Sequence, residues 1–202
     1  MIIEIDPSRP NPRRIEMATA ALRQGQIVVY PTDTCYAIGA DILNKKAIER
    51  IYQLKAVPKT TPFSFVCSDL GNISHYAHVT DWAYRILKKY LPGPYTFILE
   101  GSREVPKMML TKRHTVGIRI PDHPVCMSIV RALGNPVIST SVRATSGPIW
   151  SDPQEIREAI GKRVEIIVDS GIIQPEPSSV ISLINDEPVV LRMGKGDISA
   201  FA

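Results

Sequence analysis

The sequence predicts an α/β fold, a mixed twisted sheet with helices on its faces. Three observations carry that expectation. Segments with apolar residues at helical spacing alternate with short β-branched runs. The 17 prolines, richer than the usual 5% or so of a chain, stand at the borders of those segments. The last three strand-like runs follow one another with no helix between them, which predicts antiparallel pairing there. At 202 residues, and with about 150 residues to a typical domain, residues 1–202 are expected to form a single domain.

The elements follow in order. Arg13–Gln24 places Ile15, Ala18, Thr19 and Leu22 on one helical face, and Gly25 supplies a stop. Gln26–Tyr30 is a short strand cut by Pro31. Asn44–Leu54 reads as a helix capped by Asn44, with Ala47, Ile48, Ile51 and Leu54 inward. Phe63–Cys67 is a strand. Thr80–Tyr90 is a helix capped by Thr80, and Leu91–Pro94 (LPGP) is a turn. Tyr95–Leu99 and Thr115–Ile120 are strands, Pro124–Leu133 is a helix closed by Gly134, and Pro136–Thr140 is a strand. Asp152-Pro153-Gln154-Glu155 is a full helix-start signature, with cap, first-turn proline and a Glu three residues after the cap. That helix runs to about Ile160. Val164–Asp169, Val180–Ile184 and Val189–Arg192 close the chain as strands.

Composition narrows the function classes. With 44% hydrophobic and 22% charged residues, the chain is an ordinary globular one and not a disordered one. Its longest apolar runs, Ile27–Tyr30 and Val189–Leu191, are strand-sized, so no membrane association is expected. Glu4 and Asp6 interrupt any signal-peptide core, which predicts a cytoplasmic location. Cys35, Cys67 and Cys126 are far apart and odd in number, against a disulfide framework or a structural zinc site. His75 and His78 lack accompanying ligands and read as surface histidines, so no metal site is expected. The formal charge of +4 and the pI near 9.0 suit anionic ligands or transient RNA contact. GxGxxG, P-loop, HExxH and GxSxG motifs are absent.

The polar chemistry gathers at strand ends. Pro31-Thr32-Asp33-Thr34-Cys35-Tyr36 follows one strand, and Ser139-Thr140-Ser141-Val142-Arg143 follows another. Arg119 lies within the apolar strand VGIRI, and Arg192 ends VVLR. Ligands of open α/β sheets bind outside the carboxyl ends of strands, and hydroxyls with guanidinium forks suit phosphate or carboxylate. The residues by themselves point to an anion-binding α/β domain. Each cluster also has a plain structural reading, as a turn, an edge-strand arginine or a back-bonded strand end.

At these residues the sequence resembles the YrdC family of threonylcarbamoyl-AMP synthases, and most of all its YciO-like subgroup. Pro31–Asp41 (PTDTCYAIGAD) is similar to the family's PTDTxYGLGxD signature. The likeness continues through Ile48–Lys55, Leu91–Leu99, Thr115–Pro124, Ser178–Leu183 and Val189–Gly194. The resemblance implies a YrdC-like twisted open sheet around a large, basic, concave cavity. It implies an activity joining L-threonine, bicarbonate and ATP into threonylcarbamoyl-AMP and pyrophosphate, with magnesium accompanying the ATP. It also implies delivery of the group to an adenosine of tRNA, and family members bind double-stranded RNA.

Carried over residue by residue, the resemblance gives Thr32, Thr34, Arg119 and Ser179 to the threonine site. Lys55, Ser141, Ser178 and Arg192 go to the nucleotide, with Lys55, Arg119 and Ser141 as the catalytic set; Ser139, Lys59 and Arg143 join the nucleotide set by their place in the same segments, Lys59 and Arg143 as replacements for a missing family charge. Asp33 reads as a turn-forming carboxylate, with magnesium ligation as the alternative. Two positions depart from the family pattern: Val57 stands where the KxR motif has arginine, and Arg143 where the SxN motif has asparagine. These departures leave open an alternative, an RNA- or nucleotide-binding protein without synthase activity.

Overall fold

A computed structural model describes residues 1–109, 114–143 and 147–201, with Met108 by its backbone alone. The strands are β1 (Ile2–Glu4), β2 (Val28–Tyr30), β3 (Ala37–Asp41), β4 (Ser64–Val66), β5 (Ala77–His78), β6 (Tyr95–Gly101), β7 (Thr115–Arg119), β8 (Val137–Ser141), β9 (Ile166–Asp169), β10 (Ser179–Ser182) and β11 (Val189–Arg192). The α-helices are α1 (Pro12–Arg23), α2 (Lys45–Lys55), α3 (Leu70–Tyr76), α4 (Asp81–Tyr90), α5 (Pro124–Leu133) and α6 (Pro153–Ile160). The strands form one open mixed sheet in the order β1-β9-β2-β3-β8-β4-β7-β6-β10-β11, with β5 added beside β6.

The anticipated helices form where their caps and apolar stripes placed them. Asn11, Asn44, Thr80 and Asp152 each accept backbone N–H bonds at a helix start. Four of these elements, β1, β3, β5 and α3, had no expectation behind them. β3 (AIGAD) is poor in β-branched residues, yet it sits centrally between β2 and β8. Gly39 there is a packing requirement, since a Cβ would lie 2.5 Å from both the Tyr30 ring and Val137. β1 and α3 are short, and tertiary pairing sustains them where local pattern is weak.

The expected antiparallel pairing of the last three strands holds only for β10 with β11. β9 instead lies parallel between β1 and β2, and β10 runs parallel to β6. The segment between β9 and β10 is long enough to carry the chain to the other side of the sheet, so adjacency in sequence does not make adjacency in space.

Period-two alternation divides the strand side chains between two faces. Val28, Tyr30, Val137, Ile166 and Val168 pack with α1 and α5. Val29, Ile38, Phe65, Phe97, Ile118 and Ile138 pack with α2, α3, α4 and α6. α1 and α5 cover only part of their face. Further along it, Ser139 pairs with Ser64, Ser64 with Gly117, Gly117 with Ile98, and Thr96 with Val180. These laterally aligned residues face an open hollow.

Candidate functional site: a cationic cavity at the strand ends

The hollow is a cavity of about 530 Å³. Among the described residues its charged lining groups are Lys55, Arg119, Arg143 and Arg192, and none of the described lining residues is acidic or a histidine. Of the site residues expected from sequence, Thr34, Lys55, Arg119, Ser139, Ser141, Arg143, Ser178 and Arg192 line it together. Three others stand elsewhere. Lys59 is exposed and paired with Glu49 at 2.9 Å. Thr32 is buried behind the cavity wall. Ser179 is fully buried, tying Gly194 and Gly196 to β10.

Arg119, at the end of β7, is the hub. Its Nη2 donates to Asp33 Oδ1 at 2.8 Å and to Thr34 Oγ1 at 3.0 Å. The Arg119 and Asp33 side chains are only 8% and 9% exposed, so the ion pair is buried. The other Asp33 oxygen accepts from the Asp122 N–H at 3.1 Å. Arg119 Nε is buried without a partner among the described residues. A guanidinium has five donors in a fixed fork, and a buried unmet donor normally has a partner.

Thr32 organises the loop that presents these groups. Its hydroxyl donates to Cys35 O at 2.6 Å and accepts from the Thr34 and Cys35 N–H groups. With its one proton so committed, Thr32 accepts from the Thr34 hydroxyl at 3.0 Å, and Thr34 in turn accepts from Arg119. The turn expected of Pro31–Tyr36 is therefore also an arginine-orienting device. Asp33, read from sequence as a turn carboxylate, is the counter-ion of Arg119. No spacing rule signals that pairing, because Asp33 and Arg119 lie 86 residues apart.

Lys55 ends α2, where Ala56 adopts a left-handed conformation and stops the helix. Its Nζ donates to Ser141 O at 2.9 Å. Burial, and then the Arg143 charge, push this amine down to about 8. Arg192 donates through Nε and Nη2 to Ser178 O, and through Nη2 to Ser178 Oγ at 3.1 Å. Ser178 Oγ shares a 2.7 Å hydrogen bond with Thr96 Oγ1. Gly194 permits the close passage of this C-terminal loop, since a Cβ there would meet Pro177 O at 2.2 Å. Arg143 is exposed and bridges to Ile149.

Ser64, Thr96 and Thr140 also line the cavity, as do Phe63, Met109, Ile149 and Leu191. Thr140 belongs to the hydroxyl cluster already read from sequence, whereas Ser64 and Thr96 were missed because only sheet register brings them beside Ser139 and Gly117. Cys35 lines the wall as well, but burial pushes its thiol up, so it stays protonated and is no nucleophile. All three cysteines are free and buried. Among the described residues no group of His, Cys, Asp or Glu is arranged to hold a metal ion. Among the described residues no helix is long and apolar enough to cross a membrane. Charge and hydrogen-bond donors of this kind suit the positioning of an anion, and among the described lining residues the Lys55 amine is the side chain able to act as a base.

Comparison with known proteins agrees with this architecture. A protein-family model named for Sua5, YciO and YrdC, and described as "Telomere recombination", matches residues 20–194. The chain is 41% identical to the uncharacterised protein YciO of Escherichia coli, over 98% of this chain and 97% of that one. The crystal structure of E. coli YciO superimposes with a TM-score of 0.95, covering 100% and 99% of the two chains. A protein of Methanocaldococcus jannaschii named as a putative threonylcarbamoyl-AMP synthase is 33% identical, over 89% of this chain and 85% of its own length. The structure of Pyrococcus abyssi Sua5 complexed with L-threonine has a TM-score of 0.90 at 28% identity, covering 96% of this chain and 57% of that one. On the match to the family model and to these relatives, the chain belongs to the Sua5/YciO/YrdC family.

Proposed function

We propose that the cavity is the site of a threonylcarbamoyl-AMP synthase-like nucleotidyltransferase of tRNA modification, acting in the cytoplasm on L-threonine, bicarbonate and ATP. The observation that carries this reading is the hollow whose charged lining groups among the described residues, Lys55, Arg119, Arg143 and Arg192, are all cationic. The names of the relatives and the L-threonine in the Sua5 structure support it.

In this reading the threonine amine attacks carbon dioxide or bicarbonate to give a carbamate. A carbamate oxygen then attacks the α-phosphate of ATP, and pyrophosphate leaves. The protein's part is positioning and charge stabilisation. Arg119 offers its unpartnered Nε edge to the threonine carboxylate. Lys55 keeps two N–H protons beyond the one given to Ser141 O and presents them to phosphate. Arg192 and Arg143 also meet the phosphates, and the Ser139, Ser141 and Ser178 hydroxyls orient the nucleotide. The described lining residues offer no carboxylate for magnesium; magnesium enters as part of the Mg·ATP substrate, and no step is routed through a protein-held ion. The test is pyrophosphate release by the pure protein with ATP, bicarbonate and threonine. Release that depends on threonine is expected, and its absence at saturating substrates removes the reading.

A second reading is favoured by one feature. Val57 lines the cavity as an apolar side chain where the family motif carries arginine, while Arg143 stands exposed. A cavity so altered suits a nucleotide or double-stranded RNA held without synthesis. Duplex-RNA affinity that falls steeply with salt supports this alternative, and absent or salt-insensitive binding counts against it.

A further inference from the structure

We propose that Lys55 is a carbamylation site: its amine takes up carbon dioxide reversibly, giving an Nζ-carbamate whose carboxylate faces the arginines of the cavity.

The setting of Lys55 is unusual for a lysine. The residue is only 7% exposed. Buried ammonium groups are paired as a rule, yet among the described residues Lys55 forms no ion pair. Its hydrogen-bond partner is a neutral carbonyl, Ser141 O. Lys59, four residues on, shows the ordinary arrangement, exposed and bonded to Glu49. The charged groups sharing the cavity with Lys55 are Arg119 from β7, Arg143 beyond β8 and Arg192 from β11. The Arg143 charge disfavours a further positive charge on the Lys55 amine; Arg192 and Arg119 line the same hollow, Arg119 with Asp33 as its counter-ion. The amine near 8 agrees with that surrounding and supplies a neutral fraction under ordinary conditions.

The step balances without any co-reactant besides carbon dioxide. The lone pair of neutral Nζ attacks the carbon, a C–N bond forms, and one C=O π bond opens to an oxyanion. One Nζ proton leaves to water, and the remaining N–H keeps its bond to Ser141 O. Counted from the ammonium form, two protons leave in all, one before the attack and one after it, and the side chain passes from positive to negative in a cavity of about 530 Å³ that also holds three guanidinium groups. The inference rests on this geometry and not on the synthase reading, because uptake needs neither ATP nor threonine.

Two measurements test it. Wild-type protein equilibrated with ¹³C-bicarbonate should show a carbamate carbonyl resonance that disappears on degassing. Trapping with a trialkyloxonium alkylating agent should place the adduct by mass spectrometry on the peptide holding Lys55 and leave exposed Lys45 unlabelled. The Lys55→Arg variant should lose the resonance while the Met1 amine signal remains as an internal control. Arg143→Gln, at an exposed position, should lower adduct occupancy at least about threefold by removing one stabilising charge. The inference is overturned if no adduct maps to Lys55 in the wild-type protein, if Lys45 is labelled to the same extent, or if Arg143→Gln leaves occupancy unchanged. Failure of the pyrophosphate assay with a mapped Lys55 adduct would sink the synthase reading alone.

Discussion

Replacing Asp33 by alanine should strip Arg119 of its counter-ion and leave a guanidinium charge buried. The pair is 2.8 Å apart with both side chains about nine-tenths buried, so solvent does little to compensate. Removing one partner of such a pair costs about 3–5 kcal/mol. For a chain of this size, where each kcal/mol lowers Tm by about 2–4 °C, the fall is about 6–20 °C. Acetate then serves as a diffusible replacement for the lost carboxylate. At ten times its Kd, binding to the folded state alone returns about 1.4 kcal/mol, roughly 3–6 °C. The assay is thermal unfolding of wild type, Asp33→Ala, Arg119→Ala and the double variant, each with acetate or an equal concentration of chloride. The double variant should be more stable than the two single losses added together, and it should not respond to acetate. Strictly additive losses, or an equal acetate response in all four proteins, would refute the claim that Asp33 and Arg119 form a coupled pair at the base of the cavity.

Other outcomes follow from the same geometry. Arg119→Ala should weaken L-threonine binding by about 2–5 kcal/mol, the usual cost of truncating one partner of a desolvated charge pair; unchanged affinity by calorimetry would place the carboxylate elsewhere. The Lys55 amine titrates near 8 in the folded chain and at the ordinary 10.5 when unfolded. The unfolded state therefore holds more protons between those values, and this residue's contribution to stability rises with pH across that window. Lys55→Met should accordingly exceed wild type by about 1–3 kcal/mol below pH 8, with the margin closing as pH approaches 10.5; urea unfolding across that range would show a constant margin if the amine were not depressed. Gly196→Ala should cost about 1–3 kcal/mol, because its Cβ would lie 2.4 Å from the Tyr95 ring; an unchanged urea midpoint would mean that the loop repacks freely. Restoring the family's residues with Val57→Arg and Arg143→Asn should raise threonine-dependent pyrophosphate release, and an inert double variant would show that other differences dominate.

The amino-acid order alone determined the local pieces. Caps at Asn44, Thr80 and Asp152, apolar stripes such as Ala47-Ile48-Ile51, and β-branched runs such as Val28–Tyr30 are encoded within a few residues, because helix and strand periodicity act at that range. The family signature and its two departures, Val57 and Arg143, were likewise visible in the chain. Only the tertiary structure decided that β9 runs parallel beside β1 and β2, that Gly39 lets β3 pass against Tyr30, and that Asp33 neutralises Arg119 across 86 residues. It also separated Lys59, Thr32 and Ser179 from the cavity while bringing Ser64 and Thr96 into it. The reason is physical: strand pairing and buried charge compensation depend on distance in space, which sheet register sets and which no local pattern in the chain specifies.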